Sequence, residues 1–254
     1  MGDQFNGPPP RGERDEFSGV HGPLPLHRPR GVLLDVDGTL LDSNGAHARA
    51  WLEALMGEGI ALPCELLRRE LGKGGEPRLW EVLKIDPHSV LGKTISRHRR
   101  EIFKTSYLAE VAPFPGSRRL LARMRADGLS IHATTSSSDD DVNDLLRAAG
   151  VSDLVDRVVT TTDLAARVLL DPDIVSAIAR SGLPRHELLM LGDTPYDVRA
   201  AILAGVPIVA VRSGGFRDRD LVGAIEVYDD VADLLSSWEQ SAFVGATTRV
   251  QRSG

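Results

Sequence analysis

Long hydrophobic runs are missing from these 254 residues: no stretch approaches the roughly 18 consecutive apolar residues that a membrane-spanning helix needs. The first residues, with Asp3 and the run Pro8, Pro9 and Pro10, have nothing like the apolar core of a signal peptide. Cysteine is reduced to Cys64 alone, which excludes an intrachain disulfide, leaves the fold to stand on packing and suits a reducing compartment. An excess of positive charge is lacking too. Lys and Arg number 30 against 36 Asp and Glu, a net charge of -6, which works against a nucleic-acid or anionic-membrane partner. The seven histidines show neither an HExxH string nor a zinc-ligand spacing. The expectation is a cytoplasmic protein with no nucleic-acid or membrane partner, a monomer or a weak homodimer.

What is present is an ordinary globular composition, 42% hydrophobic and 26% charged, long enough for one or two domains with a full core. Residues 1–30 hold six prolines and five glycines without apolar periodicity and read as a disordered tail, and residues 242–254 look similar. Between them, short apolar runs at Gly31 to Asp35, Leu129 to Thr135, Arg157 to Thr160, Leu188 to Gly192 and Pro207 to Val211 read as strands. Their nearly unbroken Val, Leu and Ile content fits a parallel sheet covered on both faces. Helical patterns fall between them, as at Leu120, Leu121 and Met124, and at Val142, Leu145, Leu146 and Ala149. The fold class is α/β, with a Rossmann-like doubly wound parallel sheet. Residues 45–111 break the alternation. They show only helical patterns, too many for a loop, and are expected to be a small all-helical domain inserted after the first strand, leaving 31–44 and 112–241 as the core. Lys73, Gly74 and Gly75 read as a basic turn between two helices of that insert.

The most informative string is VLLDVDGTLLDS, residues 32–43. A buried strand ends in Asp35 and Asp37, two carboxylates at i and i+2 that share one face of an extended chain. They converge at the carboxyl end of the sheet, where open α/β folds bind ligands. Carboxylate oxygens are hard ligands suited to Mg²⁺. Two further strings end strands in polar residues. LSIHATTSSS, residues 129–138, offers hydroxyls and backbone N–H groups to a phosphate ahead of a helix. LLMLGDTPYD, residues 188–197, places Asp193 and Asp197 after the fourth strand. The string Gly92, Lys93, Thr94 is not a P-loop, because Pro87 stands where the first glycine belongs.

With its DVDGT string after an apolar strand, the sequence resembles the haloacid dehalogenase superfamily of phosphohydrolases over most of residues 31–240. The helical insert resembles the small cap of the branch that includes phosphoglycolate phosphatase and β-phosphoglucomutase. The resemblance implies Mg²⁺ as cofactor and a small phosphorylated metabolite as substrate. It makes Asp35 the nucleophile that forms an aspartyl-phosphate and Asp37 the general acid/base. It assigns the cation to Asp35, Asp193 and the backbone carbonyl of Asp37, with Asp197 in the outer shell. Phosphate binding falls to Thr135, with Thr134 one place out, and to Ser136. The resemblance fails at the family's lysine: in Leu169 to Asp173, LLDPD, the proline and aspartate align but Leu169 stands in the lysine position. Arg167, two residues upstream and within about 7 Å along an extended backbone, is the candidate replacement. From the cap, His47 and Lys73 are expected to touch substrate, and Trp51 reads as cap core. Two alternatives stay open: a phosphoglucomutase-like isomerase on the same carboxylates, and a binding protein whose turnover has weakened with the loss of the lysine.

Overall fold

The computed structural model of the protein describes residues 28–135, 139–160 and 172–245. β1 (Gly31–Asp35) carries three consecutive aliphatic residues, and its first four positions are all buried, as a central strand requires. It pairs in parallel with β2 (Ser130–Thr135) on one side and with β4 (Leu188–Gly192) on the other. With β3 (Arg157–Thr160), β5 (Ile208–Val211) and β6 (Glu226–Tyr228), the strands form one six-stranded sheet in the order β3-β2-β1-β4-β5-β6. Every pairing is parallel. The chain winds outward from β1 to β3, then returns to the other side of β1 and winds out to β6. The switch point of a doubly wound sheet therefore lies between β1 and β4.

Alternation along the strands divides the core. Val32 and Leu34 face α4 (Ser117–Ala126), α5 (Asp139–Ala148) and α8 (Val231–Ser236), while Leu33 faces α6 (Pro172–Ser181) and α7 (Pro195–Ala204). Both faces are covered, which is why these strands read as continuous aliphatic runs.

After β1 the chain enters a helical segment: α1 (Asn44–Gly57), α2 (Cys64–Leu83) and α3 (Val90–Ile102), followed by a π-helical turn, Phe103–Tyr107. These helices bury a core of their own around Trp51, Leu55, Leu67, Leu79, Trp80 and Ile95, with Trp51 and Trp80 packed edge to face at 5.3 Å. The chain enters and leaves this segment through two strands of linker tied to each other. Leu41 bridges Pro113 in antiparallel fashion, the Asp42 N–H donates to the Ala112 carbonyl at 3.0 Å, and the Phe114 N–H donates to the Leu40 carbonyl at 2.9 Å.

Two expectations are corrected. The Gly72 to Gly75 stretch does not separate two helices, since α2 runs unbroken from Cys64 to Leu83. Glycine lowers helix propensity by about 1 kcal/mol per residue but leaves the hydrogen-bond ladder intact, and the apolar face flanking it, with Leu67, Leu79 and Trp80 buried, holds the helix together. Residues 242–245 are not tail. They close a 3₁₀ turn, Ala242–Val244, in which Phe243 is fully buried and stacks on Trp238 at 5.1 Å. β6 and α8 were not anticipated: both are too short for a periodicity to show. Among the described residues, no helix is long and apolar enough to cross a membrane.

Candidate active site

The turn after β1 builds the site. Gly38 adopts φ +80°, a left-handed conformation that favours glycine, and its N–H donates back to the Leu41 carbonyl at 2.8 Å. The turn swings Thr39 under the sheet edge, where it is fully buried, with its Oγ1 3.0 Å from Asp35 Oδ2 and 3.1 Å from Asp193 Oδ1. A hydroxyl has one proton, so Thr39 donates to one of these carboxylates at a time and keeps the two in contact through its oxygen. Asp193 follows β4, the neighbour of β1, and reaches the same point from the other side of the switch. Asp35, Asp193 and Asp197 each offer a carboxylate oxygen, and these atoms lie within 4.8 Å of one another.

Asp197 also organises its own helix. Thr194 is the N-cap of α7 and accepts from the Asp197 N–H at 3.1 Å. The Asp197 carboxylate accepts in return from the Thr194 N–H at 2.9 Å, a capping box, with Pro195 opening the helix. Asp197 Oδ2 also accepts from the Asp193 N–H at 3.2 Å. Asp197, expected in the outer shell, lies within 4.8 Å of the Asp35 and Asp193 carboxylates and is at the same time a helix cap.

Electrostatics follow from this crowding. Burial, foremost, and then the charges of Asp197, Asp193 and Asp37 push the Asp35 carboxyl well above the ordinary carboxylate range. Asp193 is pushed up to about 8, first by burial and then by Asp197, against the opposing hydrogen bonds from Asp35, Thr39 and Asn44. Two full negative charges about 4 Å apart repel by about 4 kcal/mol at an effective dielectric near 20, so this group has to take up protons or a cation. Three hard oxygen donors gathered at a sheet edge suit Mg²⁺, which coordinates oxygen octahedrally and commonly bridges protein carboxylates to a phosphate.

Asp37 stands apart from that group. Its Oδ1 accepts from Ser43 Oγ at 2.5 Å and meets His47 Nε2 at 2.9 Å. Ser43 is the N-cap residue of α1, and its hydroxyl serves Asp37 rather than the helix end. Burial raises the Asp37 carboxyl, but the His47 charge, the hydrogen bonds from His47 and Ser43, and the charge of Arg99 outweigh it, and Asp37 ends below its ordinary value. His47, expected to touch substrate, has its Nε2 engaged by Asp37, and its ring stacks on Phe103. Both contacts fall on the same oxygen of Asp37, Oδ1.

The pairing of β1 with β2 sets Asp35 in register with Thr134, which is buried, so Thr134 neighbours Asp35 across the sheet. Thr135 is the last residue of β2, and its side chain lies outside the described residues. Ser136, Arg167 and Leu169 lie outside the described residues, as does the side chain of Lys73. Two residues that border the site were missed by sequence reasoning: Asn44, whose amide donates to Asp193 Oδ2 at 3.3 Å, and Ser213, whose hydroxyl donates to the Gly38 carbonyl at 2.7 Å. Neither belongs to a recognisable string, and only the meeting of separate loops reveals them.

A doubly wound sheet that gathers carboxylates at its switch point and holds a further one apart on a histidine is the site of an α/β enzyme that works by carboxylate chemistry. The chain belongs to the haloacid dehalogenase-like hydrolases, whose family model matches residues 29–205. It is similar to a phosphoglycolate phosphatase of Nitrosospira multiformis, with 32% identity over 208 residues, covering 80% of this chain and 90% of that one. A phosphoglycolate phosphatase of Rhodospirillum rubrum is 30% identical over 81% of this chain and 89% of its own length. Among solved structures, a hydrolase from Pseudomonas syringae superposes with TM-score 0.74 at 26% identity, covering 83% of this chain and 98% of that one. The CbbY protein of Rhodobacter sphaeroides, in complex with phosphate, superposes with TM-score 0.69 at 26% identity, covering 81% and 96%.

Proposed function

We propose that the protein is a Mg²⁺-dependent phosphatase that hydrolyses a small phosphorylated metabolite through an aspartyl-phosphate on Asp35, with phosphoglycolate the first substrate to test. The observation that carries this reading is the convergence of Asp35, Asp193 and Asp197 within 4.8 Å, with Asp37 a separate, hydrogen-bonded carboxylate two residues from Asp35. The relatives named phosphoglycolate phosphatase support the substrate class.

Asp35 attacks phosphorus in line, forming a P–O bond to its carboxylate as the bond to the leaving oxygen breaks. The negative charge of the incoming phosphate raises the Asp37 carboxyl from its low value, so that Asp37 takes up a proton, delivers it to that oxygen and, in the second half, takes one from the water that cleaves the acyl phosphate. Such a role contributes about 10²- to 10⁴-fold. Ser43 and His47 orient the carboxyl for both transfers. Asp35 and Asp193 would hold Mg²⁺, which would supply the charge neutralisation that an anionic nucleophile needs beside an anionic phosphate. Thr134 is placed to donate to a phosphate oxygen beside Asp35. The helical segment 45–111 acts as a cap over the site, and a cytoplasmic location fits the reading.

The test is phosphate release from phosphoglycolate and a panel of phosphorylated metabolites with Mg²⁺ and with EDTA. Metal-dependent turnover that vanishes in Asp35→Asn supports the proposal, and turnover that survives either EDTA or that variant overturns it.

A further inference from the structure

We infer that Asn44 is a positioning residue for the divalent cation: its amide fixes the outer oxygen of Asp193 and so ties the first residue of the helical segment to the metal carboxylate of the sheet. This inference rests on the Mg²⁺ reading above and extends it to a residue outside the acidic strings.

Asp193 is completely buried, and its two carboxylate oxygens have different surroundings. Oδ1 meets Thr39 Oγ1 at 3.1 Å, on the side shared with Asp35. Oδ2 points between two glycines. A Cβ built on Gly38 would lie 2.2 Å from it, and one built on Gly214 would lie 1.8 Å from it. The glycines bring no side chain to that oxygen, and among the described residues it accepts a hydrogen bond from Asn44 Nδ2 at 3.3 Å. The same Cβ on Gly38 would lie 2.2 Å from Asn44 Nδ2, so the amide and the carboxylate meet across the bare Cα of Gly38. Sequence distance makes this more than local packing: Asn44 opens α1, while Asp193 follows β4.

An amide suits this place. It donates to a carboxylate without adding charge to a group already crowded with negative oxygens, and it holds the carboxylate plane with Oδ1 turned toward Asp35, where a cation would sit. Hydrogen-bond partners of metal-ligating carboxylates commonly contribute 10- to 100-fold to metal affinity. Ser43, the preceding residue, donates to Asp37. Two consecutive residues at the entrance to the helical segment therefore hold the two carboxylate sites, one for the proton and one for the cation.

The experiment compares the full-length wild type with Asn44→Ala, both stripped with EDTA. Mg²⁺ titrations by calorimetry read affinity without turnover, and thermal denaturation in EDTA reads folding. The expected result is a Kd for Mg²⁺ about tenfold higher in the variant. Its melting temperature in EDTA should match wild type, and kcat should return toward the wild-type value at saturating Mg²⁺. Wild-type and variant affinities within twofold overturn the role of Asn44 while leaving the cation reading intact. A lowered melting temperature in EDTA with kcat that saturating Mg²⁺ does not restore assigns Asn44 to folding alone and also overturns it. A wild type that binds no Mg²⁺ overturns the cation reading and this inference with it.

Discussion

The ring of His47 lies flat on that of Phe103, with centroids 4.0 Å apart and planes 7° from parallel. Phe103 opens the π-helical turn after α3, so the irregular turn delivers an aromatic face that fixes the ring plane of the residue holding Asp37. Phe103→Leu should release the ring and lower kcat by about tenfold, and His47→Ala by about a hundredfold. KM should change little in either. Steady-state kinetics on one good substrate check both. Equal effects on kcat and KM would place His47 on the substrate instead.

Register makes a sharper forecast for β2. Thr134→Val is expected to lower kcat/KM by at least about tenfold through loss of a donor beside Asp35, while Thr135→Val changes it by less than about threefold. Kinetics of the two variants side by side decide the matter.

The raised carboxyls give a pH dependence with a definite sign. Asp193 is pushed up to about 8 from an ordinary carboxylate value of 3.8, so between those values the folded state binds more protons than the unfolded one. Its contribution is fully present below about pH 4 and is lost as the pH climbs through about pH 8. In EDTA, wild type should therefore lose stability relative to Asp193→Asn over that window. Added Mg²⁺, which competes with those protons, should raise the melting temperature more at about pH 8 than at about pH 6. Thermal scans of both proteins across pH, with and without Mg²⁺, test this.

Gly214 offers a steric probe of the same carboxylate. A methyl there would collide with Asp193 Oδ2, a buried atom that can escape only by turning. Gly214→Ala should cost more than tenfold in Mg²⁺ affinity while the protein still melts cooperatively, readable by calorimetry and circular dichroism.

The lysine position carries the last forecast. Among the described residues, the largest influences on Asp35 all raise its pKa. If Arg167 has taken over the cation's task, Arg167→Ala should lower kcat/KM at least about a hundredfold and Leu169→Lys should bring no gain. A large gain from Leu169→Lys would mark a decayed site. Assays for isomerisation primed by a sugar bisphosphate, run on the same variants, separate a mutase from a phosphatase.

Strands with buried flanks were legible because both faces of the sheet are covered, which leaves Val32, Leu33 and Leu34 on β1, and Leu189, Met190 and Leu191 on β4, without a polar residue between them. Asp35, Asp37 and Asp193 were legible because each follows such a run. What escaped depended on distant partners. Phe243 sits in a stretch without periodicity and is fixed by stacking on Trp238, and the helicity of Gly72 to Gly75 is imposed by the packing of residues on either side. The register that sets Thr134 beside Asp35, and the partners of His47 and Asn44, are properties of pairings between elements, to which a local string is blind.

The bridge between Leu41 and Pro113 has an outcome for the history and the engineering of the molecule. Because the two linkers are stitched together below the helices, everything from α1 to Glu110 could be exchanged for another lid, or trimmed to a short hairpin, without pulling the sheet apart. Selectivity could thus be transplanted as a cassette, provided the replacement keeps Asn44, His47 and Phe103, which hold the carboxylates beneath it.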